Sequence, residues 1–353
     1  MKGIEQRKAE HIKVSLEEDV VSAFDHWDDV KLVHDALPEV DLDEVDTSTV
    51  LFGRKLSCPL MVTAITGGHS QGERVNRNLA EACANLGIAL GVGSQRPALE
   101  HGPRESYEVV KEYDVPLRIG NIGAPQLINQ KNKRAFGLDD AREAIDMIDA
   151  DLLAVHLNFL QEIAQPEGDT NAKGCYDGIR SLSRELPILV KETGAGISRR
   201  VALRLKGIGV RGLDVAGAGG TSFSKVEGRR AAKMGDRKCM RIADTFGEWG
   251  IPAPVSVISA DVGLPIIASG GIENGLQAAK GIAVGADCSG VARAVLKEAL
   301  ESPRAVEEKL GLIIEEMRIA MFLTGSKNVM ELGNAQHIIT GATREWASME
   351  KEV

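Results

Sequence analysis

The sequence predicts an α/β chain folded as a single (β/α)8 TIM barrel with an N-terminal extension and a helical C-terminal tail. Eight short apolar runs bounded by Gly or Pro alternate with amphipathic stretches long enough for crossover helices. Eight such units suit one closed parallel sheet, which takes roughly 250 residues. Polar and glycine residues collect at the C-terminal end of every run, the rim where barrels place their chemistry.

Residues 1–58 read as the extension. Within it Arg7 and His11 lie four apart and Lys8 three from His11, which gives a cationic face if the segment is helical; taken alone, these charges read as a solvated terminus. The strands follow at 59–66, 88–93, 117–121, 152–158, 188–193, 212–216, 265–269 and 287–292, with helices expected at 76–86, 139–148, 198–205 and 276–284. An unusually long connection, 222–262, precedes the seventh strand, and connections of that length often belong to an active site. The barrel then occupies 59–303 and the tail 304–353, all in one domain.

Composition narrows the function. Lys plus Arg number 42 against 51 for Asp plus Glu, a formal charge of −9, and Trp, Tyr and Phe number only 3, 3 and 7. An acidic chain poor in aromatics argues against nucleic-acid binding. No apolar stretch approaches the roughly 18 to 20 residues of a membrane span, and the opening residues are charged rather than signal-like, so a cytoplasmic enzyme without a membrane partner is expected. The five cysteines, Cys58, Cys83, Cys175, Cys239 and Cys288, form no CxxC pair and read as reduced, mostly buried thiols. The 38 glycines, about one residue in nine against a typical ~7%, show no repeat, so they mark turns and close backbone approaches.

Several of those glycines sit after the seventh and eighth strands, where barrels commonly bind a phosphate: Ser269-Gly270-Gly271 and 290–292. Lys191 ends an apolar strand and directs an ammonium into the barrel mouth, toward an anion or an electron-rich ring. With Asn121 and Thr66 nearby, flavin mononucleotide (FMN) satisfies all of these together. His156 and Asn158 share the inward face of the fourth strand with Ala154. Gln161 and Glu162 follow, and a carboxylate there suits Mg²⁺ shared with substrate phosphates. Arg96, after the second strand, offers a bidentate phosphate clamp. Arg229, Arg230, Lys233, Arg237 and Lys238 read as a solvated helix face.

The ordered motifs Arg7-Lys8 with His11, TAITGG (63–68), GSQR (93–96), GN (120–121), HLNFLQE (156–162), QPEGD (165–169), VKETGAGIS (190–198), DVAGAGGTSF (214–223) and ASGGI (268–272) give the chain a resemblance to the type 2 isopentenyl-diphosphate isomerases along most of its length. The resemblance implies an FMN enzyme that interconverts isopentenyl diphosphate and dimethylallyl diphosphate, with Mg²⁺, with NADPH or another reductant keeping the flavin reduced, and with a homo-oligomeric assembly, tetramer or octamer. It assigns Thr63, Ile65, Thr66, Gly67, Ser94, Asn121, Lys191, Thr221, Gly270, Gly271 and Ala292 to the flavin. The substrate pocket falls to Arg7, Lys8, His11, Ser94, Gln95, Arg96, His156, Asn158 and Gln161. Glu162 is the implied Mg²⁺ ligand, and Gln161, His156 and Lys8 the implied catalytic groups. Two departures stand out. Position 65 is Ile where Met is frequent, and position 273 is Glu where a basic residue is frequent, which shifts phosphate binding toward the backbone of Gly270 and Gly271.

Transposing a double bond in an unactivated alkene needs a proton added at one carbon and another removed two carbons away. No ordinary side chain is a strong enough acid, so a cofactor that handles protons is expected. A flavin oxidoreductase resembling the 2-hydroxy-acid oxidases is the enzymatic alternative. A non-catalytic flavin-binding module is the other, although it would not need the inward His, Gln and Glu.

Overall fold

The computed structural model describes residues 2–68, 71–100, 102–131 and 133–350. The chain opens with α1 (Lys2–Glu17), β1 (Val30–Leu32) and a hairpin of β2 (Thr49–Leu51) and β3 (Arg54–Leu56). The barrel begins with β4 (Leu60–Val62), α2 (Gly72–Leu86), β5 (Ala89–Gly91), α3 (Arg96–Leu99), α4 (Glu105–Glu108), β6 (Arg118–Gly123), α5 (Leu138–Asp146) and β7 (Leu152–Leu157). It continues through α6 (Phe159–Ala164), α7 (Cys175–Ser183), β8 (Ile188–Glu192), α8 (Arg199–Lys206), β9 (Gly212–Asp214), α9 (Phe223–Met234), α10 (Arg237–Thr245) and α11 (Ala253–Ala260). The chain closes with β10 (Ile266–Ser269), α12 (Gly275–Ala283), β11 (Cys288–Val291), α13 (Leu296–Ala299), α14 (Pro303–Leu323), α15 (Val329–Gly333), β12 (His337–Ile339) and α16 (Gly341–Glu350).

Strands β4 to β11 close a parallel barrel, β11 pairing with β4 and β10 with β9. The two-residue period of a strand sorts its side chains. On β7, Leu153 and Val155 pack outward among the helices, while Leu152 and Ala154 join Met61, Ala89, Ile119, Leu189 and Ile267 inside the barrel. The β2–β3 hairpin plugs the lower end by adding Leu51 and Leu56 to that inner cluster. Its two-residue turn needs positive φ at both positions, and Phe52 (φ 49°) and Gly53 (φ 79°) supply it.

All eight expected strands form, but several are shorter than the apolar runs. The first leaves the sheet after Val62, so Thr63 and Thr66 lie in the loop that follows it. The connection 222–262 is ordered into α9, α10 and α11. The tail is not purely helical. Its β12 pairs antiparallel with β1, Val30 opposite Ile339 and Leu32 opposite His337, because each strand alone would leave its backbone groups unpaired. The extension is also stitched to the rim: Ser22 N–H donates to Gly220 O and Ser222 N–H to Val20 O, both at 2.8 Å.

Candidate functional site

The C-terminal rim surrounds a cavity with two adjoining parts, of about 1110 and 960 Å³ of empty space including the open mouths, which share the wall formed by Ile65, Ser94, His156, Gln161, Thr221 and Arg293. The outer part lies under α1. Val14 on that helix packs with Val20 and Val226, which turns Lys8, His11, Ile12 and Ser15, at helical spacing, toward the cavity.

Glu227 on α9 is the hub of the outer part and is fully buried. Its Oε1 accepts from Gln161 Nε2 (3.0 Å) and lies 2.8 Å from His11 Nε2, and its Oε2 pairs with Arg230 Nη1 at 2.5 Å. The Gln165 amide, oriented by its partners, donates to Glu227 Oε1 (3.3 Å) and accepts from Arg7 Nη1 (3.0 Å). Burial alone would raise the Glu227 carboxyl, but His11 and Arg230 overcome it and hold the group down to about 2. Arg230, only 4% exposed, also pairs with Glu10 and Glu167, so it does not belong to a solvated helix face, whereas Arg229 and Lys233 are half exposed and pair with Glu18.

Arg96 is buried and held by Glu100 (3.0 Å) and Asp169 (2.9 Å), with Lys133 completing the Asp169 carboxylate. These acceptors leave part of the guanidinium fork facing the cavity that the residue lines. Lys8 is more enclosed. Its Nζ donates to Gly67 O (2.5 Å), Ser94 O (2.8 Å) and Tyr107 Oη (2.8 Å), and burial, with Arg7 and Arg96 nearby, pulls the ammonium well below its ordinary value.

His156 Nδ1 lies 2.8 Å from Asn121 Oδ1, whose amide nitrogen donates to Val92 O; Nδ1 therefore carries the proton and Nε2 is an acceptor in the neutral ring. Burial together with Lys191, Lys8 and Arg96 pulls this imidazole down to about 3. Glu162 accepts from Asn158 Nδ2 (2.9 Å) and from Asp169 N–H (2.7 Å), and burial raises its carboxyl. Asn158 Oδ1 is buried without a hydrogen-bond partner among the described residues. An acceptor left in that state calls for a cation or a donor brought by a ligand. Among the described residues no group of three or more His, Cys, Asp and Glu could hold a metal alone, so a divalent ion there would share Glu162 and Asn158 with substrate oxygens.

Backbone builds the inner part. A Cβ at Gly270 (φ 100°) would overlap Gly217 O, one at Gly220 the Gly271 nitrogen, and one at Gly290 the Thr63 methyl. Only bare backbone packs this closely, and it leaves a smooth wall for a flat ring and a phosphate. Trp27, buried in the extension, donates its indole N–H to Gly270 O at 2.8 Å. Lys191 donates to Glu192 O (2.6 Å) and lies 3.8 Å from Asp214, which also accepts from Ser269 Oγ. The Glu192 side chain turns away to accept from the N–H groups of Thr193, Gly194 and Ala195, and burial outweighs those bonds and pushes it up to about 7. These features fit an FMN: a glycine cradle, an ammonium at its base and amide and hydroxyl groups on Asn121 and Thr63.

The expected substrate residues Arg7, Lys8, His11, Ser94, Arg96, His156, Asn158 and Gln161 line the outer part together with Glu162, Ile65 and Thr66. Thr63, Asn121, Lys191, Thr221, Gly270, Gly271 and Ala292 line the inner part. Two expected residues do not line it. Gln95 is fully buried behind the wall, its amide donating to Ala144 O and accepting from Asn121 N–H, because the chain turns Ser94 and Arg96 inward and Gln95 outward. Gly67 stands behind Lys8 and contributes a carbonyl to it. Glu227, Arg230, Tyr107, Asp214 and Trp27 belong to the site without having been singled out for it.

The FMN-dependent dehydrogenase family model matches residues 176–340. The isopentenyl-diphosphate delta-isomerase of Thermoplasma acidophilum is 47% identical over 97% of this chain and 99% of its own length. That of Methanothrix thermoacetophila is 46% identical over 96% and 94%. Among solved structures, a mandelate oxidase variant with a C4a-OH-FMN adduct superposes with a TM-score of 0.62 at 19% identity, covering 96% of this chain and 99% of that one. A lactate oxidase from Pediococcus acidilactici gives 0.60 at 15% identity, covering 96% and 87%. At those identities the structural likeness speaks for the barrel alone.

Proposed function

The chain belongs to the FMN-dependent isopentenyl-diphosphate delta-isomerase family, and from that premise we propose that it interconverts isopentenyl diphosphate and dimethylallyl diphosphate with bound FMN, Mg²⁺ on the diphosphate and NADPH as reductant. One observation carries the reading: an outer cavity lined by Arg7, Lys8, His11 and Arg96, with the carboxylate of Glu162 on its wall, opens directly onto a glycine-walled inner cavity. A 2-hydroxy acid brings one carboxylate, whereas the outer part gathers Arg7, Lys8, His11 and Arg96 around a volume that suits a diphosphate with a hydrocarbon tail.

Reduced flavin supplies, when bound, an electron-rich group able to exchange a proton beside the alkene, so the reaction has no net redox change. The protein's own groups position and bind. Arg7, His11 and Arg96 bind the diphosphate, and Arg96 is already fixed by Glu100 and Asp169, so little side-chain freedom is lost on binding. Glu162 and Asn158 Oδ1 offer oxygens to Mg²⁺. Glu227 pins the nitrogen of Gln161, and its carbonyl oxygen, which accepts only a long bond from Asn158 Nδ2 (3.4 Å), is the atom offered to the hydrocarbon end to relay a proton. His156, held at Nδ1 by Asn121, presents Nε2 to the substrate cavity. We place the protein in the cytoplasm as a homo-oligomer; no helix of the described residues is long and apolar enough to cross a membrane.

The test is an anaerobic assay of the FMN-loaded protein, reduced with NADPH, for formation of dimethylallyl diphosphate with and without Mg²⁺. Full activity with oxidised flavin or without flavin rejects the mechanism, and oxidation of a 2-hydroxy acid without isomerisation rejects the reading. Glu162→Gln is expected to raise the Mg²⁺ concentration for half-maximal rate by about tenfold, the cost of losing one charged ligand; an unchanged requirement removes Glu162 from the metal site.

A further inference from the structure

Of the described residues lining the inner cavity, only Lys191, Glu273 and Arg293 carry charge, His156 being neutral. Lys191 is committed to Asp214 and to the Glu192 carbonyl at the strand ends. The remaining two face each other. Glu273 follows Gly270-Gly271-Ile272 after β10, Arg293 follows Ala292 after β11, and the parallel register that sets Ser269 opposite Gly290 brings the two loops side by side. There Arg293 Nη2 donates to Glu273 Oε1. The Glu273 backbone N–H is fixed on Gln277 Oε1 (2.8 Å), so its loop is held while the side chain stays free to turn.

A phosphate monoester placed against this cradle would meet a cation and a carboxylate that cancel each other. The pair is about one-third to one-half exposed (34% and 45%), and ion pairs that open to water are weak. A phosphate dianion is a better partner for a planar guanidinium than one carboxylate is, because it offers more oxygens and more charge. We propose that Arg293 is the side chain that binds the FMN phosphate, and that Glu273 is a built-in competitor that must release or share it. The inference rests on the flavin reading of the cavity. It makes cofactor affinity the outcome of an exchange, and it makes Glu273 the residue that holds that affinity down.

Flavin binding to the full-length apoprotein, followed by quenching of flavin fluorescence, tests both halves. FMN and riboflavin share the ring and differ by the phosphate. Arg293→Ala is expected to weaken FMN binding by at least about tenfold, the loss of one charge-assisted contact, and to leave riboflavin binding unchanged. Glu273→Gln is expected to tighten FMN severalfold and also leave riboflavin unchanged. Equal FMN affinity in Arg293→Ala and wild type, or parallel loss of both flavins, overturns the assignment of Arg293. Weaker or unchanged FMN binding in Glu273→Gln overturns the competition. Riboflavin serves as the control for folding, and a wild-type protein that binds neither flavin refutes the cofactor reading itself rather than this inference.

Discussion

The outer and inner parts of the cavity are built by different means. In the outer part, charged side chains hold one another across the chain: His11 and Glu227, 216 residues apart, meet with Arg230, and Arg96 is held by Glu100 and Asp169. In the inner part, backbone glycines from adjacent strand ends make the wall, braced by the Trp27 indole on Gly270 O and by the Ser269 hydroxyl, which accepts from Ala216 N–H and donates to Asp214. Charge can be placed by any element that reaches the rim. A backbone cradle can be made only by the strand ends themselves, so the two parts should fail independently.

Glu227→Ala is the largest expected perturbation. It removes one of three carboxylates from buried Arg230 and frees Gln161 and His11; breaking a buried ion pair costs about 3–5 kcal/mol, and Glu10 and Glu167, which stay on Arg230, hold the loss to about 3 kcal/mol. Urea unfolding and substrate affinity should both suffer while riboflavin still binds; a loss of flavin together with substrate would merge the two parts into one unit. Gly270→Ala is the converse. Its methyl has no room beside Gly217 and its φ of 100° strains any other residue, about 2–3 kcal/mol together. The protein should emerge from gel filtration without flavin, and flavin retained at wild-type affinity would sink the cradle.

Two buried carboxylates extend the contrast to pH. The Glu227 carboxyl is depressed, so the stability it contributes is present above the ordinary carboxylate range and is lost as pH falls through about 2. The Glu192 carboxyl is raised, so its contribution is fully present below that range and is lost as pH rises through about 7. Each slope is at most about 1.4 kcal/mol per pH unit. Thermal midpoints across pH should therefore flatten on the acid side in Glu227→Gln and between roughly pH 4.5 and 7 in Glu192→Gln; the same change in both variants would refute the assignment. The smallest effect is expected from Trp27→Phe, which removes one hydrogen bond to Gly270 O worth about 1 kcal/mol and should weaken FMN a few-fold. No change would detach the extension from the cofactor site.

The same contrast explains what could be read in the residues. Strand ends are local, so the eight apolar runs and their glycines pointed to the barrel and to the inner wall. The outer part depends on pairings that no local pattern encodes. Glu227 and Arg230 look like a surface pair on α9 because their partners lie on α1. A signal was nevertheless present: Ser224, Gly228 and Ala231 are small residues at helical spacing, and Gly228 has no room for a Cβ against Ala243, so that face of α9 had to be buried along with the carboxylate it carries. Gln95 misled in the opposite direction, since a motif groups neighbours that the chain turns to opposite sides.

The placement of the tryptophans has an optical consequence. Trp27 is fully buried against the loop that carries Gly270, whereas Trp249 and Trp346 are 65% and 45% exposed. A dry indole emits at shorter wavelength than a hydrated one, and a flavin on the far side of Gly270 would accept its excitation energy. The blue edge of the emission thus becomes a gauge of cofactor occupancy that needs no label, read against the redder light of the two solvent-facing rings.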